Sequence, residues 1–313
     1  MARYIVKRLL MVIPVILGVS FLIYFIVDLA PGNALLSMAP DATAEQMAEL
    51  EHMYGYDRSV FYRYFLYMKG LLQGDLGTSI LFGESVFKLY IERLPATLAL
   101  SMGAIIVAHL LSIPLGIVSA THNGTVVDNV SMVLALIGLS IPHFWLGLLL
   151  IIAFSLNLGW FPSGRFEGFR SIILPAITVG TGLTAMITRT TRSSMIDVLR
   201  QEYLRTARSK GVSEKSVILR HALKNALIPI VTVSGTQLAS ILGGSVVAET
   251  VFAWPGIGRL IIDAVKQRDT PLVTGGIMMT TILVSLLLLL VDIIYAFIDP
   301  RIKAQYSSGG KKA

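Results

Sequence analysis

Long runs of apolar residues constrain this chain more than any other feature of its sequence. Residues 9–27 form one such run and residues 273–297 form another. A helix needs about 20 mostly apolar residues to cross the hydrocarbon core of a bilayer, and both runs reach that length. Backbone groups inside a bilayer must be hydrogen-bonded within the protein, which a helix achieves alone. With 54% hydrophobic and only 14% charged residues, the sequence predicts an all-α polytopic membrane protein rather than a soluble domain.

Six membrane-spanning helices account best for the apolar runs. We place them at residues 9–30, 96–119, 129–158, 172–190, 229–251 and 273–298. The third is long enough to tilt in a bilayer, and Pro142 can kink it. A short turn at residues 121–128 and an outer loop at 159–171 join spans two to four, and the other segments are residues 1–8, 31–95, 191–228, 252–272 and 299–313. We expect these to be, in that order, a cytoplasmic N-terminus, a small external domain, a cytoplasmic loop, an external segment and a cytoplasmic tail.

The two segments assigned to the outside differ in character. Residues 31–95 are polar and rich in tyrosine, and their acidic residues outnumber their basic ones. A segment of this length is expected to form a small domain of short helices and turns rather than a linker. Residues 252–272 are expected to form a re-entrant or amphipathic segment.

The distribution of Lys and Arg sets the predicted orientation, because positive charge accumulates on cytoplasmic loops. The predicted inner segments contain Arg3, Lys7, Arg8, a dense basic stretch from Arg189 to Lys224, and Arg301, Lys303, Lys311 and Lys312. Both termini are therefore predicted to be cytoplasmic. The net charge of +7 follows from these loops. We expect the chain to interact with the lipid bilayer and not with nucleic acid. The chain has no cysteine, which excludes disulfides and thiolate metal sites.

The basic stretch has the pattern of two short helices separated by a glycine. The first helix is predicted to run through residues 198–208, and Gly211 allows a tight bend. Ser213 is predicted to cap the second helix, with Glu214 in its first turn. Leu219, Leu223 and Leu227 are then spaced as one apolar stripe, and Pro229 begins the next apolar run. We call residues 202–216 the elbow, and expect it to be a docking surface.

Several short strings occur in order along the chain. They are GDLGTS at residues 74–79, RLPAT at 93–97, SIP at 140–142, RTAR at 205–208, KG at 210–211, ETVF at 249–252, WPGIGR at 254–259 and DPR at 299–301. This order resembles the permease subunits of ATP-binding-cassette (ABC) importers, in particular B-type subunits of the dipeptide, oligopeptide and nickel permease family. The resemblance covers nearly the whole chain.

The elbow is similar to the EAA motif of that superfamily, in which an acid–alanine–alanine helix and a glycine sit in a groove of the ATPase subunit. Residues 205–207 (RTA) occupy the place of the acid and two alanines, and Gly211 that of the glycine. The acid is absent there, although Glu202 lies nearby. The resemblance implies a set of ATPase-coupling residues: Glu202, Tyr203, Arg205, Thr206, Ala207, Lys210, Gly211 and Ser213.

The resemblance also implies a fold and partners. The expected fold is that of a type I ABC importer permease. The expected partners are a second, related permease subunit, two ABC ATPase subunits and an external solute-binding protein. ATP and Mg would be bound by the ATPases, with no cofactor on this chain. The chain would lie in the cytoplasmic membrane of a bacterium or archaeon and import short peptides or a related small solute, such as glutathione, an opine or a nickel chelate.

A second group of residues is considered for the pathway or its gate: Trp254, Pro255, Gly256 and Asp292. The alternative for the Trp-Pro-Gly string is an interfacial turn with an aromatic anchor. For Asp292, a structural hydrogen bond near the inner interface is the preferred interpretation, although intramembrane charge often marks a pathway. His109 and His143 lack further ligands at metal-binding spacing and are predicted to be structural.

Two other function classes were weighed against an ATP-driven importer. A secondary transporter driven by an ion gradient typically has intramembrane charges and paired repeats, and this chain has few such charges and no evident duplicated half. If the chain were a membrane scaffold that transports nothing, the glycine elbow would have no function. No phosphate-binding loop of the G-x-x-x-x-G-K-[ST] type occurs, and no catalytic grouping is evident, so the chain is expected not to be an enzyme.

Overall fold

The computed structural model describes residues 2–29, 35, 39 and 41–298, and these residues are almost entirely helical. The first half of the chain forms α1 (Ala2–Leu29), α2 (Ala44–Tyr54), α3 (Val60–Leu72), α4 (Val86–Thr121), α5 (Val126–Ser140) and α6 (His143–Leu150). The second half forms α7 (Ile173–Leu199), α8 (Glu202–Ser209), α9 (Glu214–Ser216), α10 (Leu223–Gly244), α11 (Val246–Val251), α12 (Ile257–Lys266) and α13 (Thr270–Ile298). The predicted tail at 299–313 and part of the 31–95 segment lie outside the described residues.

Among the described residues, five helical segments are long and apolar enough to cross a membrane. They are Leu9–Leu29, Val86–Thr121, Phe169–Leu199, Glu214–Gly244 and Thr270–Ile294. A sixth span results if α5 and the helix that follows it are counted together. This agrees with the predicted helical membrane fold.

The third predicted span, residues 129–158, is not one tilted helix. It is divided into Val126–Ser140 and His143–Asn157, which meet at 93°. Pro142 has no backbone N–H and disfavours helical geometry in the residue before it, and Ile141 accordingly has an extended conformation (φ −82°, ψ 123°). The predicted kink is therefore a full break. The second half ends in a π-helical turn, Ile151–Asn157.

Three other helices extend past their predicted ends. Helix α4 begins at Val86, α7 continues to Leu199, and α10 begins at Leu223 and includes Pro229. The apolar pattern marks the part of a helix that can lie in the hydrocarbon core of a bilayer. The helical backbone continues beyond that part into polar sequence, where the apolar pattern has ended. The sequence pattern therefore placed these helix ends too far inward.

The described residues form two compact units. One contains residues 98–254 and 286–298, and its helices approach closely at small residues. A Cβ atom at Gly116 would lie 2.5 Å from the Cβ of Thr191, and one at Gly180 would lie 2.6 Å from the carbonyl oxygen of Ala104. Only glycine fits at such positions, which explains how α7 contacts α4 this tightly.

The other unit contains residues 2–97 and 255–285. Helix α2 begins with a capping box between Thr43 and Gln46 and ends at Gly55, which has φ +73°. Aromatic rings of α1 and α3 contact one another, including Tyr24 with Tyr64 at 5.5 Å between ring centroids. The described part of residues 31–95 thus contains short helices and turns, whereas its place outside the membrane stays a prediction.

Candidate functional site

The elbow bends at Gly211. Helix α8 ends there because Gly211 has φ +77°, a left-handed conformation that favours glycine. The N–H of Gly211 donates to the carbonyl of Arg208 (3.0 Å), and the N–H of Val212 donates to the carbonyl of Ala207 (3.3 Å). This pair of bonds is a Schellman C-cap, which satisfies carbonyls at the end of a helix. The predicted helix–glycine–helix geometry is present.

Two local predictions for the elbow are wrong. The first helix begins at Glu202 rather than residue 198, because Val198 and Leu199 continue α7 and Gln201 is extended (ψ 142°). Ser213 occupies the cap position of α9 and its carbonyl accepts the N–H groups of Ser216 and Val217, but its side chain makes no capping hydrogen bond. The second helix has a single turn, Glu214–Ser216, and passes into a π-helical turn, Val217–Ala222.

One face of the elbow is buried in the unit that contains residues 98–254. Leu204 is fully buried and packs in a cluster with Met195, Val217 and Ala222. Ala207 and Val212 are partly buried against the same cluster. Burial of a leucine side chain contributes about 1.5–3 kcal/mol. The elbow is therefore attached to α7 and to the π turn.

The predicted leucine stripe after the elbow is only partly an apolar face. Leu223 and Leu227 are half-buried, but Leu219 is 45% exposed. The reason is the π turn, because its additional residue per turn changes the helical register. The four-residue spacing assumed for Leu219, Leu223 and Leu227 does not hold there.

The opposite face of the elbow is exposed and polar. Seven of the predicted coupling residues are exposed: Glu202, Tyr203, Arg205, Thr206, Lys210, Gly211 and Ser213. The eighth, Ala207, is half-buried. The surface is cationic where Arg205 and Lys210 lie, and it is continuous with the exposed residues Lys215 and Arg220.

An ion pair crosses the bend. Arg208 donates from Nε and Nη2 to the carboxylate of Glu214, at 3.0 and 2.8 Å. This bond raises the pKa of the Arg208 guanidinium. Both side chains are about half exposed, so solvent screens the pair and its contribution to stability is small.

A second link joins the elbow to α10. Asn225 donates from Nδ2 to the Tyr203 hydroxyl (2.7 Å), and that hydroxyl donates to the carbonyl of His221 (3.3 Å). Tyr203 is one of the predicted coupling residues, whereas Asn225 was not predicted to take part. The pairing spans 22 positions and cannot be derived from local pattern.

The structure adds a charged pair that sequence reasoning missed. Arg192 on α7 donates from Nε and Nη2 to the two carboxylate oxygens of Asp128, at 2.8 and 2.7 Å. The N–H of Gly124 and the hydroxyl of Ser119 also donate to Asp128, which is 3% exposed. We call this group the Asp128–Arg192 bracket. It fixes the turn before α5 to the end of α7 that leads into the elbow.

The candidate gate residues lie apart from the elbow in sequence and environment. Trp254 is fully buried, and its ring meets Phe166 edge to face at 5.2 Å. Burial inside the chain does not fit an aromatic anchor at a membrane interface. Pro255 is half-buried and Gly256 is buried, just before α12. Asp292 is half-buried on α13.

The two histidines make hydrogen bonds consistent with structural roles. The His109 imidazole contacts the carbonyl of Ile105 and the hydroxyl of Ser234, both at 2.7 Å. Nδ1 of His143 lies 3.1 Å from the carbonyl of Thr178. Among the described residues, no group of three His, Cys, Asp or Glu side chains could hold a metal ion.

Within the unit that contains residues 2–97, one pair of signature strings meets, and a third string contacts Asp269. Ser79 of GDLGTS donates to the buried carboxylate of Asp269 (2.5 Å), which also accepts the N–H of Leu81 (3.2 Å). Thr97 of RLPAT accepts the N–H of Ile257 of WPGIGR at 2.8 Å. These strings therefore hold distant parts of this unit together.

A cavity of about 600 Å³ lies in the same unit. Tyrosines dominate its lining, with Arg58, Arg63, His52 and Asp75 as the charged or titratable groups. Arg63 also makes an ion pair with Asp28 and lies over the ring of Tyr56. The cavity can accept a ligand or loop that offers both apolar and polar groups.

The chain was compared with families of known proteins. Residues 112–304 match the family described as binding-protein-dependent transport system inner membrane component, and residues 1–101 match its N-terminal domain. The chain belongs to this family.

Individual relatives match over almost their entire length. The oligopeptide transport system permease protein AppB of Bacillus subtilis is 41% identical, covering 97% of this chain and 100% of the relative. The dipeptide permease DppB of Alkalihalophilus pseudofirmus is 40% identical with the same coverage. The glutathione permease GsiC of Salmonella choleraesuis is 41% identical, covering 97% of this chain and 99% of the relative.

The fold resembles that of a solved ABC transporter. Two crystal forms of the inward-facing MetNI methionine ABC transporter match with TM-scores of 0.54 and 0.57 at 20% and 17% identity. The matches cover 68% and 67% of this chain and 97% and 96% of the solved chains. The chain is thus a multi-pass inner membrane permease component of a binding-protein-dependent transport system, a transport subunit rather than an enzyme. The ion-gradient alternative finds no support among these relatives.

Proposed function

We propose that this chain forms half of the translocation pathway of an ATP-driven importer of short peptides, or of a related small solute such as glutathione. One observation carries the proposal: the end-to-end match, at about 40% identity, to oligopeptide, dipeptide and glutathione permeases. A second, related permease subunit supplies the other half. An external binding protein delivers the substrate.

The elbow is the proposed docking site for an ABC ATPase, and two ATPases serve the permease pair. Docking uses the exposed face with Glu202, Arg205, Thr206, Lys210 and Ser213, while the buried face with Leu204 holds the elbow in the permease. The small side chain of Ala207 lets α8 pack closely against the cluster that contains Leu204. Gly211 forms the bend. ATP and Mg are bound by the ATPases. The cationic surface suits a groove whose rim carries acidic side chains.

The outer face is proposed to receive the binding protein. It comprises the helices and turns of residues 31–95, with the tyrosine-lined cavity, and the segment at 252–272. Both termini are on the cytoplasmic side in this arrangement. Trp254, Pro255 and Gly256 form a gate at the transition into α12, and Asp292 makes a structural hydrogen bond near the inner interface.

The test is purification of the tagged chain in mild detergent from its own cell, with mass spectrometry of the proteins that accompany it. We expect a second permease, one or two ATPases and a binding protein. The assembly is then placed in liposomes, and ATP-dependent uptake is measured with radiolabelled dialanine, trialanine and glutathione. A chain that purifies alone, with transport that follows an ion gradient and ignores ATP, would contradict the proposal.

A further inference from the structure

Tyr203 belongs to the elbow, but its side chain contacts α10 and the π turn that precedes α10. Its hydroxyl accepts a hydrogen bond from Nδ2 of Asn225 at 2.7 Å and donates to the carbonyl of His221 at 3.3 Å. Nδ2 of Asn225 also donates to that carbonyl, at 3.2 Å. Three groups from two helices therefore meet at one point, which we call the Tyr203–Asn225 link.

The link ends on a π-helical turn, Val217–Ala222, which joins α9 to α10. Single π turns inside helices are uncommon and frequently occur at functional sites. The neighbouring Leu204 packs against Val217 and Ala222 of the same turn. One turn of α8 thus contacts the π turn through both an apolar and a polar side chain.

The covalent route between these residues is poorly suited to transmit motion. From Tyr203 the chain passes through Gly211, which has φ +77° and open space around its Cβ position, and then through the single turn of α9. The backbone therefore offers only a bent path from α8 to α10, whereas the link joins them directly. The ion pair between Arg208 and Glu214 also crosses the bend but is about half exposed and weakened by salt.

We propose that Tyr203 and Asn225 are positioning residues that pass movement of α8 to α10 through the π turn, bypassing Gly211. This inference rests on the proposed docking of an ATPase on the elbow. It assigns the Tyr203 hydroxyl to a contact between two parts of the permease rather than to the ATPase contact. The link is neutral, so it keeps its strength when salt screens the ion pair.

The first experiment uses the assembled transporter in liposomes and compares uptake of radiolabelled trialanine with ATP hydrolysed. Tyr203→Phe and Asn225→Ala should each lower uptake per ATP about fivefold or more, the lower range of coupling between sites. The double variant should be no worse than either single one, because both remove the same link.

Ser240→Ala is the matched control, because this exposed hydroxyl lies on α10 outside the elbow and donates to the carbonyl of Thr236 in its own helix. It should leave the ratio unchanged. Melting temperatures of all variants should match the wild type, which separates loss of coupling from loss of fold. A wild-type ratio in Tyr203→Phe, or an equal loss in Ser240→Ala, would overturn the inference.

The second experiment does not depend on ATPase or substrate. The chain has no cysteine, so spin labels can be placed at Ser209→Cys and Thr236→Cys in the chain in lipid nanodiscs. The distance distribution should broaden in Tyr203→Phe. An unchanged distribution would show that the link does not hold α8. If the distribution broadens but the chain never assembles with an ATPase, the link exists and only the proposed function is refuted.

Discussion

The guanidinium of Arg192 holds both carboxylate oxygens of Asp128, and the two residues are 64 positions apart in the chain. Asp128 is 3% exposed and also accepts the N–H of Gly124. A buried carboxylate in this setting depends on its cation, since an unpaired buried charge is costly. The bracket also lies near the C-terminal end of α7, which the elbow follows in the chain.

Arg192→Met should therefore destabilise the protein by about 3 kcal/mol, near the lower limit for removing one partner of a buried pair, since Arg192 is partly exposed. The readout is the melting temperature of the purified chain in detergent. Adding Asp128→Asn to this variant should recover part of the loss. Arg189→Met, at an exposed position on the same helix, is the control and should have little effect. Equal losses at both arginines would contradict the bracket's role.

Leu204→Ala should loosen the elbow without affecting the spans. The side chain is fully buried, and truncating a buried leucine typically costs about 2–5 kcal/mol. Limited proteolysis should cut the elbow faster, while the large membrane fragments persist. Leu219→Ala, at a position 45% exposed, should be cut at the wild-type rate. Identical cleavage of both variants would show that Leu204 does not anchor the elbow.

Gly211 should be sensitive to any side chain. Alanine at φ +77° costs about 1–2 kcal/mol of backbone strain, and no neighbouring atom lies within 4 Å to clash with its Cβ. Gly211→Ala should reduce transport per ATP modestly, and Gly211→Trp should uncouple ATP hydrolysis from transport while the spans stay folded. Gly55→Ala carries similar strain at φ +73° but lies outside the elbow, and it should preserve the coupling ratio. Normal transport by Gly211→Trp would count against ATPase docking at the elbow.

The predicted orientation can be tested with single cysteines in this cysteine-free chain. Lys69→Cys should react with a membrane-impermeant maleimide in intact cells. Lys210→Cys should react only after the membrane is permeabilised, because the elbow is predicted to be cytoplasmic. The unmodified chain controls for background labelling. Labelling of Lys210→Cys in intact cells would reverse the assignment of sides.

The sequence pattern predicted those structural features that depend on a few neighbouring residues. Apolar runs identify membrane-crossing helices because the bilayer requires the same composition in any fold. Gly211 was recognised as a bend because a left-handed residue at a helix end is usually glycine. Each of these conclusions depends on a few neighbouring residues.

Other features depend on partners that the local pattern does not contain. Pro142 was recognised as a kink, but the size of the break depends on how the two halves pack. Ser213 has the right residue type for a cap and occupies the cap position, yet its side chain makes no capping bond. The Asp128–Arg192 bracket and the Tyr203–Asn225 link join separate helices, so neither charge nor spacing could reveal them.

The break between α5 and α6 has a consequence for the surrounding lipid. At a 93° corner, the last carbonyls of one helix and the first N–H groups of the next cannot pair along a shared helical axis. Acyl chains offer such groups no hydrogen bonds, and irregular backbone at membrane depth occurs only where protein or water covers it. The corner at Ile141 and Pro142 is therefore a point that lipid tails must avoid, and the bilayer around this permease should be interrupted there by protein, headgroups or water.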